Sequence, residues 1–270
     1  MVTNISPTST GRDVRLACRR GEWTQHTSGV ASNFAQANLV ILPAKSAEDF
    51  RCFCERNPQP CPLLEMTQPG DQVPHRMASD VDLRTDLPRY RVWQDGVVTD
   101  EPTDISNLWR DDLVSFLIGC SFTFDSALLQ AGLPVRHVEV GCNVPMFRTN
   151  IDCIPSGPFR GPLVVSMRPF TAKEAARANE LTAGFSHFHG RPVHQGDPLA
   201  IGISDLAQPD FGDAVTLLEG EMPVFWACGV TPQCALESAR LPLAITHAPG
   251  HMFVTDRSNA EILQTTIPNG

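Results

Sequence analysis

The chain is short of positive charge and lacks the usual nucleotide and hydrolase signatures. Asp and Glu total 30 against 21 Lys and Arg, a formal net charge of −9. That balance argues against nucleic acid or an anionic membrane as a main partner. A small anionic substrate stays open, because a local basic pocket can sit in an acidic protein. There is no Gly-rich phosphate fingerprint, no Walker A run and no G-x-S-x-G elbow. ATP, nicotinamide and triad-hydrolase readings therefore find no support. Internal repeats and low-complexity tracts are absent too. The opening MVTNISPTSTGRDVR has no apolar signal region, and the most apolar stretch, residues 113–124, is too short and too polar to span a bilayer. No lipidation motif occurs. The nine Cys include no repeated CxxC, and Cys52 and Cys54 are too close for an ordinary bridge. They read as reduced thiols of a cytoplasmic protein.

With 270 residues, 42% of them hydrophobic, the chain can bury a sizeable core as one domain or two lobes. Residues 1–11 read as disordered. Apolar runs at 37–43, 163–167, 200–203, 214–218, 223–227, 243–246 and 252–255 predict strands. Residues 90–98, turning at Asp95-Gly96, predict a hairpin. Helices are expected from Ser46 to before Pro58, from Asp104 to about Ile118, and from Phe124 to Gln130. Two more are expected from the capping box Thr171-Ala172-Lys173-Glu174 and from Thr231-Pro232. The fold class is α/β, with mixed α+β layers: a two-lobed molecule with a mixed sheet flanked by helices. The second lobe is placed at about 111–195, the first at about 12–110 with 196–265.

Residues 141–150, GCNVPMFRTN, stand out. Pro145, Asn143 and Asn150 disfavour a regular element. Arg148 sits there between apolar neighbours and needs a partner, because an unpaired buried charge is costly. A protein carboxylate and a substrate carboxylate both qualify. Three strand ends are further candidates. Residues 226–231, containing Cys228, Gly229 and Thr231, and residues 167–171, containing Arg168, lead into helix N-termini, where free N–H groups favour anions. Ordinary βα turns are the plainer reading of both. His247 closes the third strand, either as acid–base group or as a satisfied core histidine. His189, His194 and Asp197 carry a weak metal-ligand spacing that Gly190 and Pro192 disfavour. Arg84, among alternating acids at 80–89, suits internal ion pairing. Asp210 and Asp213 sit in a Gly turn. Cys120 and Cys228 are the best thiol candidates, although buried small hydrophobe is the commoner role.

Residues 36–43 (QANLVILP), 85–90 (TDLPRY), 113–122 (LVSFLIGCSF), 143–150 (NVPMFRTN), 161–169 (GPLVVSMRP), 209–213 (PDFGD), 224–233 (VFWACGVTPQ) and 245–250 (ITHAPG) resemble, in order, the D-glutamate cyclase family. The likeness runs from about residue 15 to 256. It departs near Thr27-Ser28-Gly29, where Thr-Ala-Gly is expected, and at Asn33-Phe34-Ala35-Gln36. The resemblance implies a hydro-lyase converting D-glutamate to 5-oxo-D-proline and water, on a two-lobed α/β fold, with no organic cofactor. The partner implied is a small anionic amino acid or carboxylic acid, with a homo-oligomer left open.

That chemistry needs a carboxylate anchor, a base for the ammonium, and an acid with oxyanion donors at the departing oxygen. The expected assignment has Arg148 and Arg168 as clamps, with Arg84 a rival and Asn143 beside them. N–H groups from Cys228 through Gly229 to Thr231 hold the oxyanion. His247 or His189 moves protons, oriented by Asp210 or Asp213. Alternatives are a hydratase or dehydratase of another small acid, with metal at His189, His194 and Asp197, or a carboxylate-binding module without turnover.

Overall fold

The computed structural model describes residues 5–264. Thr10 caps the first helix, α1 (Gly11–Arg19), in a reciprocal capping box with Asp13. Ile5 packs with Val14, Ala17 and Val254. The described part of the 1–11 segment is therefore folded, and residues 1–4 lie outside the described residues.

The QANLVILP run becomes β1 (Phe34–Pro43), buried along nearly its whole length. Helix α2 (Ala44–Arg56) follows at once, two residues before the expected Ser46 cap and with no side-chain cap. Then come β2 (Leu63–Met66), and β3 (Tyr90–Gln94) joined to β4 (Val97–Asp100) by the expected Asp95-Gly96 turn. The helix expected from Asp104 is instead a single 3-10 turn, Ser106–Leu108, and then a strand, β5 (Leu113–Gly119). Every residue of β5 is buried, so it shows no period of two. An unbroken apolar run looks the same in a buried strand and a buried helix.

The chain continues through α3 (Phe122–Gln130), the single turn α4 (Arg136–Glu139), β6 (Met146–Asp152), β7 (Pro162–Thr171) and α5 (Ala172–Thr182). It ends with β8 (His194–Gln195), β9 (Glu221–Ala227), α6 (Thr231–Ala239), β10 (Ala244–His247), β11 (Phe253–Ser258) and α7 (Asn259–Gln264). The 141–150 run is thus irregular only as far as Pro145. Residues 200 and 201 close a 3-10 turn, Pro198–Ile201, and 214–218 form no strand. Ile201, Ile203 and Val215 serve as apolar anchors in the core.

The strands form two sheets, paired antiparallel throughout among the described residues. One has the order β2-β5-β1-β10-β3-β4, with β11 also on β1; the other has the order β6-β7-β9-β8. Strand β5 therefore belongs with the first sheet and β9 with the second. Successive residues of β1 enter different apolar clusters, Leu39 and Ile41 one, Val40 and Leu42 the other. Val224 and Trp226 of β9 are likewise separated from Phe225 and Ala227. Central strands of both sheets are covered on both faces. No helix among the described residues is long and apolar enough to cross a membrane.

Candidate active site

An open cleft of about 400 Å³ lies where β3 begins and β10 ends. Its walls include Arg89, Arg91, Glu101, Asp210, Phe211 and His251. The β3–β10 pairing sets its geometry. Tyr90 stands opposite His247, and the Ala248 N–H donates to the Arg89 carbonyl at 2.9 Å, carrying the ladder one step beyond the strand. Because strand side chains alternate, Tyr90 and Val92 enter the core while Arg89 and Arg91 leave by the other face.

The two arginines differ in commitment. Arg91 Nε donates to Glu101 at 2.7 Å and Nη1 to the Gln233 side-chain oxygen at 3.2 Å, with the guanidinium 5.9 Å from the Phe211 ring centre. Arg89 Nε is buried with no acceptor, and its guanidinium has no ion pair among the described residues. Half-buried and unpaired, it is the cleft's uncommitted cation. His251 Nδ1 lies 3.0 Å from the Pro249 carbonyl. A carbonyl only accepts, so Nδ1 carries the proton and Nε2 keeps its lone pair. Burial first, then Arg89, pushes this imidazole below its ordinary value despite the Pro249 bond. It is neutral near pH 7 and can act as a base.

The opposite wall is the Asp-Phe-Gly-Asp turn. Phe211 exchanges backbone hydrogen bonds with Met146, at 2.9 and 3.2 Å. Gly212 has φ +73°, and a Cβ there would meet the Val144 carbonyl oxygen at 2.0 Å. Gly250, φ +84°, presses on the Asn143 amide in the same way, at 2.3 Å. Both positions require glycine. Asn143 Nδ2 donates to the Pro249 carbonyl at 3.2 Å, and Asp213 accepts the Asn143 N–H at 2.9 Å. Asn143 and Asp213 therefore fasten the two walls together. Beneath them Cys120, Phe122, Val144, Cys228, Val230 and Met252 form an apolar, sulfur-rich floor on which Phe211 packs. Burial pushes the Cys228 thiol up to about 11 and Cys120 higher still, which keeps both protonated.

Several expected site residues have other tasks. Arg168 is fully buried and forks onto Asp125 at 2.7 and 2.9 Å, with Nη1 also donating to Ser166 and Nη2 to Ser121. Arg148 forks onto Glu237 at 2.8 and 2.6 Å, and its backbone N–H goes to Asp210. Arg84 pairs with Asp82 at 2.7 Å, the internal pairing expected of it. Thr231 is buried; its hydroxyl donates to the Cys228 carbonyl at 2.7 Å and accepts from Val164 N–H at 3.0 Å. Gly229 backs onto the Asn38 amide. His189 sits elsewhere, with Nδ1 on the Gln59 carbonyl at 2.8 Å. His194 turns to the backbone of Asp197, and no group of three His, Cys, Asp or Glu among the described residues could hold a metal. Of the expected set, Asp210 alone lines the cleft, with Asn143 and Asp213 behind it. Arg89 lay in a quoted run and His251 immediately after another. Only the strand pairing shows that they meet.

Two predictions arise here. Arg148 is 37% exposed on its side chain. Arg148→Lys should therefore shift stability by no more than ~1 kcal/mol, as half-exposed ion pairs do, and kcat/KM by no more than about threefold. Thermal melts and steady-state assays check both. Burial also pushes His189 down to about 4 and His247 to about 3. The unfolded chain takes up these protons near pH 6.5, where the folded chain does not. Their stabilising effect is thus complete above pH 6.5 and declines as the pH falls toward 4. Urea midpoints at successive pH values should show this decline, with a flatter dependence in His247→Gln.

The family model for D-glutamate cyclase matches residues 114–256. A Bordetella pertussis protein named "Putative hydro-lyase" is 56% identical over 262 residues, covering 97% of this chain and 95% of its own. A protein of the same name from Rubrobacter xylanophilus is 61% identical over 249 residues, 92% and 96% of the two chains. One from Geobacillus kaustophilus is 52% identical over 261 residues, 97% and 99%. With this identity along nearly its whole length, the chain belongs to the D-glutamate cyclase family.

Proposed function

We propose that this protein is a hydro-lyase that closes D-glutamate into 5-oxo-D-proline and water in the Arg89–His251 cleft. The observation that carries this reading is an unpaired guanidinium, Arg89, facing the same cleft as a neutral histidine with an open Nε2. A guanidinium fork matches a carboxylate in two parallel hydrogen bonds. Glutamate's α-carboxylate meets that requirement.

In the reaction the N–Cδ bond forms and a Cδ–O bond breaks. Two of the three ammonium protons end on the departing γ-carboxylate oxygen, which leaves as water, so no proton is gained or lost overall. His251 Nε2 is the shuttle: it takes each of the two protons in turn from the nitrogen and passes it to the departing oxygen. Arg91 and the turn at Asp210 hold the folded chain of the substrate so that nitrogen and Cδ approach. The Phe211 ring shields that approach from water.

Purified protein incubated with D-glutamate, and separately with L-glutamate, should release 5-oxo-D-proline from the D isomer, seen by NMR as the lactam. Absence of lactam from both, and of glutamate from both 5-oxoproline enantiomers, would sink the reading. Activity should also fall on acidification, with the limb displaced to the acid side of the ordinary histidine value, as His251 becomes protonated. A His251→Asn variant should lose that acid limb.

A further inference from the structure

The charged side chains on the walls of the cleft are not evenly committed. Arg91 and Glu101 hold each other at 2.7 Å. Arg89 is the cation without an ion pair. Its counterpart is a carboxylate, Asp210, which lines the same cleft with its side chain 40% exposed. Asp210 Oδ2 accepts the Arg148 N–H at 2.8 Å. Oδ1 accepts no hydrogen bond among the described residues. Arg148 Nε stands 3.8 Å from it, beyond hydrogen-bond length, and both Nη atoms of that guanidinium are already on Glu237 at 2.8 and 2.6 Å.

This carboxylate is positioned as well as open. Its Oδ2 is tied to the backbone of β6, and the next residue, Phe211, bridges to Met146 in the same strand. The Phe211 ring lies between the two arginines, 5.9 Å from the Arg91 guanidinium and 5.4 Å from that of Arg148. An ionised carboxylate only accepts, and it has room for several donors. A ligand that completes it must therefore bring N–H or O–H groups. A second carboxylate would be repelled.

We infer that Asp210 Oδ1 receives the α-ammonium of the substrate and so makes the cleft select an amino acid over the matching acid without nitrogen. This rests on the cyclase reading and deepens it. An unpaired guanidinium and a half-open carboxylate in one cleft are the complement of a zwitterion. With Arg89 on the α-carboxylate and Asp210 on the ammonium, two bonds of the substrate Cα are directed. An ammonium carries three N–H groups, so one on Asp210 leaves others for His251 Nε2. Asp210 is thus a binding and positioning group, and His251 remains the proton carrier.

Calorimetry on the whole protein with D-glutamate and with glutarate, the same diacid without the ammonium, tests this. The parent should bind D-glutamate the more tightly. Asp210→Asn keeps an oxygen for the Arg148 N–H, so it should melt as the parent does. It should weaken D-glutamate binding by about tenfold, as loss of one charge-assisted hydrogen bond does. Glutarate should bind this variant as well as it binds the parent, or better, because a like charge has gone. Equal losses for both ligands, no loss for D-glutamate, or equal binding of both by the parent would overturn the role of Asp210, and lactam release from D-glutamate would still uphold the cyclase reading. A preference for D-glutamate that vanishes in Asp210→Asn, with no lactam formed by the parent, would instead uphold the ammonium site and sink the cyclase reading. A parent that binds no D-glutamate would overturn both.

Discussion

Arg89→Met should lower kcat/KM for D-glutamate by about 10²- to 10³-fold, the loss expected when a fork of charge-assisted hydrogen bonds disappears. Because the parent guanidinium holds no carboxylate of its own, the variant should unfold at the same urea concentration as the parent. This pairing of outcomes distinguishes Arg89 from every other arginine considered. Arg89→Lys should recover only part of the loss, since an ammonium cannot reproduce a planar fork. Steady-state assays beside urea melts make the measurement. A variant with parental kcat/KM would remove Arg89 from the site.

Arg168→Met should do the reverse, acting on stability before chemistry. Its guanidinium is fully buried over Phe124 and Trp226, at 4.9 and 5.4 Å from their ring centres. Removing it strands Asp125, which is 4% exposed and also faces His137 at 3.2 Å. Burial pushes the Asp125 carboxyl up, but Arg168 and His137 together outweigh it and hold the group below its ordinary value. An uncompensated buried carboxylate costs about 3–5 kcal/mol, a large part of a total of roughly 5–15. Asp125→Leu should cost a similar amount, because it leaves the buried guanidinium unpaired. The double variant Arg168→Met/Asp125→Leu should regain most of the loss, because an apolar pair of similar volume removes the desolvation burden. Chemical denaturation of the four proteins measures the coupling directly, and additive losses would show that the pair does not act as a unit.

Local features of the fold were legible where one physical rule acts within a few residues. The Asp95-Gly96 hairpin, the Thr171–Glu174 capping box and the Thr231-Pro232 helix start each depend on neighbours in sequence, and each appears where expected. The failures share a cause as well. Strand β5 lost its period because both its faces are covered, and residues 214–218 looked like a strand because apolar anchors and strand residues use the same side chains. Arg148 and Arg168 had the right chemistry for clamps. Whether an arginine is free depends on which carboxylate the fold brings near, and Glu237 and Asp125 lie 89 and 43 residues away in the chain.

The chain alone was enough to establish the class of fold and the family, and to raise the proposal that a cation meets an anionic substrate. Composition, turn chemistry and long ordered motifs are properties of neighbouring residues, and they survive without coordinates. The cation proposed here was not among them. That proposal rests on the β3–β10 register, which brings Arg89 to a cleft beside His251, and on ion pairs that consume its rivals. Free charge is a property of three-dimensional neighbours, since Coulomb partners within a few ångströms decide whether a guanidinium is spent or available.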